Sequence, residues 1–353
     1  MTDLAILDVD THLTDASVDM WRPYLTGADA DYLPQVVTHE GTDRLLAGGL
    51  LLPKPAGHGV GSPLGIGAAA HVDSVEERLR FMRQMRIERA FLLPGFVGLA
   101  ALDAPDPTAR KTLARAHNQL VYDLASTASE IEFVPVILPD DPQWSIAELR
   151  QWRTRTTIRA AVSRPTTHEV RPYRHGLGNP LLRYLVDDGI VLMLHGATGY
   201  HQASPVADHF DDYRFTHVFS HPFEQMVALA DLFGSGALDA GLRVALVEAG
   251  CGWIPWFLDR LQEHFDHTGG CQPIPIDVAE LARERLLVSV EPGDPGIATA
   301  VAQLGDSLLA FGSDYPHWDA ADPEDLTAFS KTHNPDLVHR ILYQNAHDFF
   351  FKS

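Results

Sequence analysis

The sequence of 353 residues is poor in cysteine, in lysine and in basic residues as a whole. Its two cysteines, Cys251 and Cys271, are too few for a disulfide framework and suit a reducing compartment. Lys and Arg together number 27 against 47 Asp and Glu, which gives a formal net charge of −20. This balance argues against nucleic acid or an anionic membrane surface as a partner, because both select basic patches.

Long apolar runs are also missing. No uncharged apolar stretch reaches about 18 residues, so no membrane-spanning helix is expected. The first ten residues have no basic segment and carry acids within their apolar stretch, so no signal peptide is expected. With 45% hydrophobic residues the composition is typical of a soluble globular enzyme. These observations predict a cytoplasmic enzyme that acts on a small molecule.

What the chain does contain is a regular alternation of strand-like and helix-like segments. Eight short apolar runs read as buried strands, near residues 4–9, 89–93, 133–138, 158–162, 190–194, 242–247, 286–290 and 308–311. Helix-like segments separate them, except that the first crossover is an irregular stretch over about 20–72, with a glycine-dense part at 57–67 that is expected to be a loop or lid. The pattern predicts the α/β class and a single domain over 1–353. That domain is a distorted (β/α)₈ TIM barrel with a loop-rich N-terminal insertion after strand one.

Polar side chains follow several of these strands, at the end where barrel enzymes carry their chemistry. Strand one ends in Asp10 and His12, which point to the same side of an extended chain. Strand five ends in His195, strand six in Glu248 and strand eight in Asp314. Taken alone, each is more often a cap, a turn residue or a core hydrogen-bonding group. Two imidazoles and two carboxylates converging on one end of a barrel instead favour a divalent-metal site.

Several motifs extend this pattern over nearly the whole chain. They are Asp8-Val9-Asp10-Thr11-His12, Leu194-His195-Gly196, Ser220-His221-Pro222-Phe223-Glu224, Glu248-Ala249-Gly250-Cys251-Gly252-Trp253-Ile254-Pro255 and Gly312-Ser313-Asp314-Tyr315-Pro316-His317. With them the chain resembles the amidohydrolase superfamily, in particular the amidohydrolase-2 group. That group includes the aminocarboxymuconate-semialdehyde, γ-resorcylate and 5-carboxyvanillate decarboxylases and many metal-dependent TIM-barrel hydrolases.

The resemblance implies one catalytic divalent metal, Zn²⁺ or alternatively Mn²⁺, held by Asp10, His12, His195 and Asp314. The binuclear branch of the superfamily bridges two metals with a carboxylated lysine at a strand end. None of the four lysines here lies at a predicted strand end, which favours a single metal. The resemblance also implies a homodimer.

Roles for individual residues follow from the same resemblance. Asp314 is expected to be both a ligand and the base that takes a proton from water. Glu248 stands where the decarboxylases carry a histidine, and it either shuttles a proton or pairs with an arginine. His221, placed at a helix start, is expected to act in catalysis by a hydrogen bond to substrate or by proton transfer at the pocket mouth; the alternative is that it faces solvent. His317 and Trp253 are expected to line the pocket, although Trp253 is equally explained by packing.

The remaining candidates are weaker. Asp15 either anchors the loop after strand one or caps a helix. His58, His71 and His201 lie on loops and are expected at the surface. The leading hypothesis is therefore a hydrolase that attacks a small organic substrate with metal-activated water. The first alternative is a non-oxidative decarboxylase of an aromatic or enoic acid, and the second is a non-catalytic, ligand-binding barrel.

Overall fold

The computed structural model describes residues 5–13, 18–39, 41–52, 74–167, 171–197, 210, 213–267, 275–317 and 320–352. The strands are β1 (Ile6–His12), β2 (Gln35–His39), β3 (Thr42–Ala47), β4 (Leu50–Leu52), β5 (Ile87–Leu93), β6 (Ile131–Phe133), β7 (Ala160–Ser163), β8 (Val191–His195), β9 (Val244–Val247), β10 (Leu286–Val290) and β11 (Leu309–Phe311). The helices are α1 (Val18–Trp21), α2 (Val75–Met85), α3 (Phe96–Ala101), α4 (Pro107–Ala125), α5 (Pro142–Arg153), α6 (Pro180–Asp187), α7 (Tyr213–Gly234), α8 (Ile254–Asp266), α9 (Val278–Arg285), α10 (Ile297–Leu304), α11 (Pro323–Thr332), α12 (Pro335–His339) and α13 (Asn345–Phe351), with a π-helical turn at 340–344.

Eight of these strands are parallel and form a closed ring. β1, β5 and β6 pair in that order, and β7 to β11 form a second run of neighbours. The two runs meet at a bridge between Val136 and Val162 and at another between Thr11 and Tyr315. The predicted (β/α)₈ barrel is thereby confirmed. The predicted strand at 133–138 is displaced, since β6 ends at Phe133 and Pro135 has no N–H for a regular ladder.

Six of the eight barrel strands are buried along their whole length, and β5 and β6 are buried over most of theirs, because one face meets the interior and the other meets the helices. Alternate residues accordingly fall into two apolar clusters. Val9, Phe91, Val162 and Met193 belong to the cluster inside the barrel, which Phe350 of α13 also joins. The larger cluster lies between the strands and the surrounding helices. This packing fixes the strand ends on which the polar residues sit.

The prediction that residues 20–72 are irregular is wrong for the described part of that stretch. β2, β3 and β4 form an antiparallel three-stranded sheet. The β3–β4 turn is Gly48-Gly49, where both residues have positive φ, as a tight hairpin requires. The sheet packs through Leu45 and Leu50 onto an apolar cluster that includes Trp21. Because prolines flank these short strands, the sequence pattern favoured an irregular segment. Residues 53–73, with the predicted glycine-dense loop, lie outside the described ranges.

Helix α7 also differs from the prediction. It begins at Tyr213, eight residues before the predicted start at His221, and it contains Pro222 in its interior. A proline there lacks the N–H that would bond four residues back, so a proline-containing segment favours the prediction of a helix start. Helices α3, α9 and α11 were not predicted. None of the described helices is long and apolar enough to cross a membrane.

Candidate metal centre

The barrel brings the predicted ligands together at its C-terminal end. His12 Nε2 lies 3.3 Å from Asp10 Oδ1, 3.3 Å from Asp314 Oδ1 and 3.3 Å from His195 Nε2. All four side chains are buried. Ligands about 2.1 Å from a zinc ion at tetrahedral corners stand about 3.4 Å apart. The spacing of these atoms therefore suits a common metal ion.

The hydrogen bonds of the two imidazoles fix which nitrogens face this point. His12 Nδ1 lies 2.8 Å from the carbonyl oxygen of Pro94, and His195 Nδ1 lies 2.5 Å from that of Gly196. A carbonyl only accepts, so each Nδ1 carries a proton, and in the neutral ring that a metal binds each Nε2 presents a lone pair. Two lone pairs that face each other beside carboxylates repel unless a cation lies between them. The donor set therefore fits a divalent metal bound by Nε2 and carboxylate oxygen.

The two carboxylate oxygens of Asp10 have different surroundings. Its Oδ2 accepts hydrogen bonds from the backbone N–H of Glu248 at 2.9 Å and from the Ser289 hydroxyl at 3.0 Å. Its Oδ1 is buried and has no hydrogen-bond partner among the described residues. An orphaned carboxylate oxygen in a buried position indicates a missing cationic partner. Ser289, in the apolar run of β10, was missed by the sequence analysis, although a lone hydroxyl in a buried strand was a usable signal.

Asp8 supports the same end of the barrel from beneath. Its Oδ1 accepts hydrogen bonds from the backbone N–H groups of Asp10 at 3.1 Å and Ser313 at 3.0 Å. The carboxyl thus joins the first strand to the segment that carries Asp314. Burial raises the pKa of Asp8 to about 7. Asp8 belongs to the motif at the end of the first strand, but no role was predicted for it from the sequence.

Two acidic residues of the site have an unusual backbone. Glu248 has φ of 52° and Asp314 has φ of 57°, both in the left-handed region that disfavours side chains. Among the described non-glycine residues, only Arg86 shares it. Strained backbone of this kind concentrates at functional sites. It turns both carboxylates towards the centre of the barrel mouth.

Asp314 is held by a neighbouring imidazole. His317 Nδ1 lies 2.7 Å from Asp314 Oδ1, and its ring stacks on His12 with centroids 4.4 Å apart. Burial opposes ionisation of Asp314, but the contacts with His317 and His12 hold its pKa below the usual range. His317 therefore lies beside the ligands, although it is not among the residues that line the cavity next to them.

Glu248 contacts both the ligands and helix α7. Its Oε2 lies 2.6 Å from His195 Nε2 and 3.4 Å from His12 Nε2, and its Oε1 lies 3.4 Å from His221 Nε2. Burial opposes its ionisation, yet His221 and His195 hold its pKa well below the usual range. Among the described residues its charged partners are histidines, which does not match the predicted alternative of an arginine pair. His217, at 3.8 Å from Oε1, was missed by the sequence analysis.

His221 is buried within α7, with 3% of its surface exposed, so the solvent-facing alternative is wrong. Its Nδ1 lies 3.0 Å from the Ser220 hydroxyl, which itself donates to the carbonyl of His217. The single hydroxyl proton is used there, so His221 Nδ1 donates to Ser220 and Nε2 is left to accept. Burial lowers the pKa of His221 to about 3, which keeps the ring neutral. The Nε2 atom of His221 therefore faces Glu248 Oε1 as a hydrogen-bond acceptor.

The other predicted residues are placed less centrally. Trp253 donates from Nε1 to the carbonyl of Ala249 and packs edge-on against Phe257, so packing accounts for its described contacts. It is not among the residues that line the cavity beside the metal centre. Four further predictions, for Asp15, His58, His71 and His201, lie outside the described residues.

A cavity of about 410 Å³ opens beside the centre. Its wall includes five acidic residues, Asp10, Glu248, Glu291, Asp294 and Asp314, together with His217. Asp294 connects the loop after β9 with the loop after β10, because it accepts hydrogen bonds from the backbone N–H groups of Cys251 and Gly296. Among the described residues the lining holds no lysine or arginine. The cavity therefore presents a strongly acidic surface next to the clustered ligands.

The sequence matches the amidohydrolase family (Amidohydro_2) over residues 8–352. The chain belongs to this family. The family match covers almost the whole chain and agrees with the resemblance inferred from the strand-end motifs. No curated protein sequence matches the chain.

Solved structures of other amidohydrolase-fold proteins superpose on it. An amidohydrolase from Mycobacterium avium subsp. paratuberculosis is 18% identical, with 99% of this chain and 100% of that one covered and a TM-score of 0.79. A 5-carboxyvanillate decarboxylase from Sphingomonas paucimobilis is 19% identical, with 98% and 99% covered and a TM-score of 0.72. A manganese complex of the same kind of decarboxylase from Novosphingobium aromaticivorans is 16% identical, with 98% and 96% covered and a TM-score of 0.70. At these identities the likeness establishes the shared fold.

Proposed function

We propose that this amidohydrolase-family protein is a metal-dependent hydrolase of a small organic substrate. The observation that carries the proposal is the set of proton-free donor atoms on His12, His195, Asp10 and Asp314, which meet at one buried point. A divalent metal held there would supply a Lewis acid and a water of lowered pKa. Two imidazoles and two carboxylates suit Zn²⁺, which we propose as the metal, with Mn²⁺ as the alternative.

The residues around the ligands would handle the protons of a hydrolysis. We propose that the Asp314 carboxylate accepts the proton of the attacking water, since its contacts keep it ionised. Glu248, which is ionised in the resting site, would receive a proton during the reaction and deliver it to the leaving group. The fixed tautomer of His221 supports this exchange, because its Nε2 can only accept.

The charge of the cavity supports an uncharged substrate. Five carboxylates line it, so an incoming carboxylate would be repelled by more negative charge than one divalent metal offsets. An ester, lactone or amide carbonyl meets no such penalty and offers the oxygen that a Lewis acid polarises. His317, stacked on His12 at the edge of the site, and Trp253 remain proposed substrate contacts.

Decarboxylation of an aromatic or enoic acid is the second candidate. It is favoured by the solved relatives, several of which are decarboxylases of hydroxylated benzoates, one of them in complex with manganese. Against it stand Glu248, where the resemblance leads one to expect a histidine, and the acidic cavity. A non-catalytic binding barrel is the third. A homodimer is a further proposal that rests on the family resemblance, and a cytoplasmic location is one that rests on the composition of the chain.

A single experiment separates these candidates. The purified protein is analysed for bound metal, reconstituted with Zn²⁺ or Mn²⁺, and assayed in parallel on neutral esters, lactones and amides and on hydroxybenzoates. Hydrolysis of a neutral substrate that depends on the metal would support the proposal. Release of CO₂ from a hydroxybenzoate, with no hydrolysis, would favour the decarboxylase. Failure to bind either metal tightly would favour the non-catalytic barrel.

A further inference from the structure

Three charged side chains lie fully buried behind the site and take no part in the chemistry described above. Arg164 follows β7, Asp103 follows α3, and Glu224 lies on the inner face of α7; none of the three side chains is exposed to solvent. The guanidinium of Arg164 donates to Asp103 and to Glu224 Oε2, the latter at 2.7 Å. The same nitrogen lies 3.5 Å from the carbonyl oxygen of Ala197. We call this group the Arg164 triad.

Stability alone does not account for the triad. Burying charges costs solvation free energy, and well-packed apolar side chains are often as stabilising as a buried ion pair. Here two carboxyl groups contact one guanidinium, and burial raises the pKa of Asp103 to about 8. What such a network provides is a fixed geometry for the segments it joins. Its three segments are the ends of β7 and α3 and the middle of α7.

The part of α7 that it fixes is the turn that carries His221. Glu224 is three residues after His221, so the two side chains lie on neighbouring positions of the same face. Between them, Pro222 has no N–H to donate to the carbonyl four residues back, which weakens the helix at that turn. Gln225 Nε2 also holds this turn, by donating to the carbonyls of Leu194 and Val247 at the ends of β8 and β9.

The position of His221 leaves little tolerance. A Cβ on Gly196 would lie 2.6 Å from Cδ2 of His221, so the ring packs directly on this backbone. Its Nε2 then lies 3.4 Å from Glu248 Oε1. A small displacement of the turn therefore either collides with Gly196 or separates His221 from Glu248.

We propose that Arg164, acting through Glu224, is a positioning residue that holds His221 in register with Glu248. The proposal rests on the proposed function only for its kinetic consequence, because the position of the His221 ring can be measured without substrate. It goes beyond the proton transfer by Glu248 and His221, since it concerns residues that contact neither the ligands nor the cavity.

The main test variant is Glu224→Ala. It leaves Arg164 bound to Asp103 and is therefore expected to fold. The ring ¹⁵N resonances of His221, assigned with His221→Gln, are expected to shift in Glu224→Ala, while those of His12 and His195 stay in place. In the zinc-loaded enzyme kcat is expected to fall by about tenfold or more, with KM and metal content little changed. Glu224→Gln, which keeps an acceptor for Arg164, is expected to restore both properties.

The matched control is Asp231→Ala on the same helix. Asp231 is buried and is bound by Arg171 through two contacts to its Oδ1 and Oδ2, but it lies three turns from His221. Its loss is expected to leave the His221 resonances and kcat unchanged. If Glu224→Ala does not fold, Arg164→Lys replaces it, since lysine keeps the charge but cannot reach both carboxylates.

The outcomes separate the two proposals. Unchanged His221 resonances in a folded Glu224→Ala or Arg164→Lys protein overturn the positioning role, whatever the enzyme does. Shifted resonances in a protein that hydrolyses no neutral substrate support the positioning role and overturn the proposed hydrolase. Equal losses in Asp231→Ala and Glu224→Ala would also overturn the positioning role, because a general weakening of α7 would then explain both.

Discussion

The imidazoles of His12 and His195 meet edge to face, with their Nε2 atoms 3.3 Å apart and both Nδ1 atoms tied to backbone carbonyls. When both rings are neutral, neither Nε2 can donate to the other, so the pair suits a cation bound between them. Asp10 and Asp314 complete it with carboxylate oxygens 3.3 Å from His12 Nε2. The geometry of ordinary hydrogen bonds to the main chain thus prepares a metal site.

Replacement of a ligand is expected to remove both metal and activity. His195→Ala deletes one lone pair, and Asp314→Asn removes a negative charge and the proposed base. Each variant is expected to retain less than about a tenth of the metal affinity and no measurable turnover. Metal content per chain is measured after dialysis, together with turnover. Full activity with normal metal in either variant would contradict the ligand assignment.

Replacement of Glu248 is expected to separate metal binding from turnover. Glu248→Gln keeps the size and the contact to His221 but carries no transferable proton, so turnover is expected to fall about 100-fold or more. Metal content is expected to stay near normal. Because Oε2 lies 2.6 Å from His195 Nε2, loss of metal in this variant would instead make Glu248 a ligand. Unchanged turnover would leave it a structural role only.

Ser289 is expected to matter through Asp10. In Ser289→Ala the Oδ2 atom of Asp10 loses one of its two hydrogen bonds, so the carboxylate is less well oriented. We expect metal affinity to fall about 10-fold to 100-fold, as measured by competition with a chelator. The control is Ser145→Ala, which removes a buried hydroxyl bonded to the main chain of Leu138, far from the ligands along the chain. Equal affinity in both variants would contradict the role of Ser289.

The close contact of His221 with Gly196 predicts the effect of a single methyl group. In Gly196→Ala the new Cβ would lie 2.6 Å from His221 Cδ2, so the ring must shift away from Glu248. Turnover is expected to fall by at least about tenfold. The control is Gly234→Ala at the end of α7, where a Cβ would meet no atom within 4 Å. A Gly196→Ala enzyme as active as the control would exclude a strict requirement for the His221 position.

A buried histidine away from the ligands predicts how stability depends on pH. Burial lowers the pKa of His117 from 6.5 to about 3, so the unfolded chain binds its proton first as the pH falls. The contribution is complete above pH 6.5 and is lost between about pH 6.5 and pH 3. The loss is about 1.4 kcal/mol per pH unit, or about 2 kcal/mol at pH 5.

Urea unfolding at pH 7.5 and pH 5 measures this dependence. In His117→Leu the difference between the two pH values is expected to shrink by about 2 kcal/mol relative to the unaltered chain. His339→Leu, which replaces a half-buried histidine of α12, is the control and is expected to leave the difference unchanged. An unaltered pH dependence in His117→Leu would show that His117 is not buried as a neutral ring.

The barrel and its ligands were predictable because each depends on a local pattern. Apolar runs that end in Asp10 and His12, in His195 or in Asp314 place these residues at one rim as soon as the strands are parallel. The hairpin of β2 to β4 was missed because its strands are short and proline-flanked. His221 was placed at a helix start because Pro222 favours that position, whereas its packing on Gly196 depends on contacts remote in sequence.

The supporting residues could not be predicted in the same way. Ser289 reaches Asp10 and Arg164 reaches Glu224 across separations of 279 and 60 residues, and neither pair forms a recognisable spacing. Composition alone also does not distinguish a buried arginine from an arginine at the surface. These roles emerge only when the barrel brings the segments together.

The ring closes where Thr11 bridges to Tyr315, at the seam between the first barrel strand and the last. Asp10 and His12 stand on one side of this seam and Asp314 stands on the other, some three hundred residues further along the chain. The proposed metal would therefore tie the first barrel strand directly to the last. Binding of the ion and closure of the ring are then expected to depend on each other.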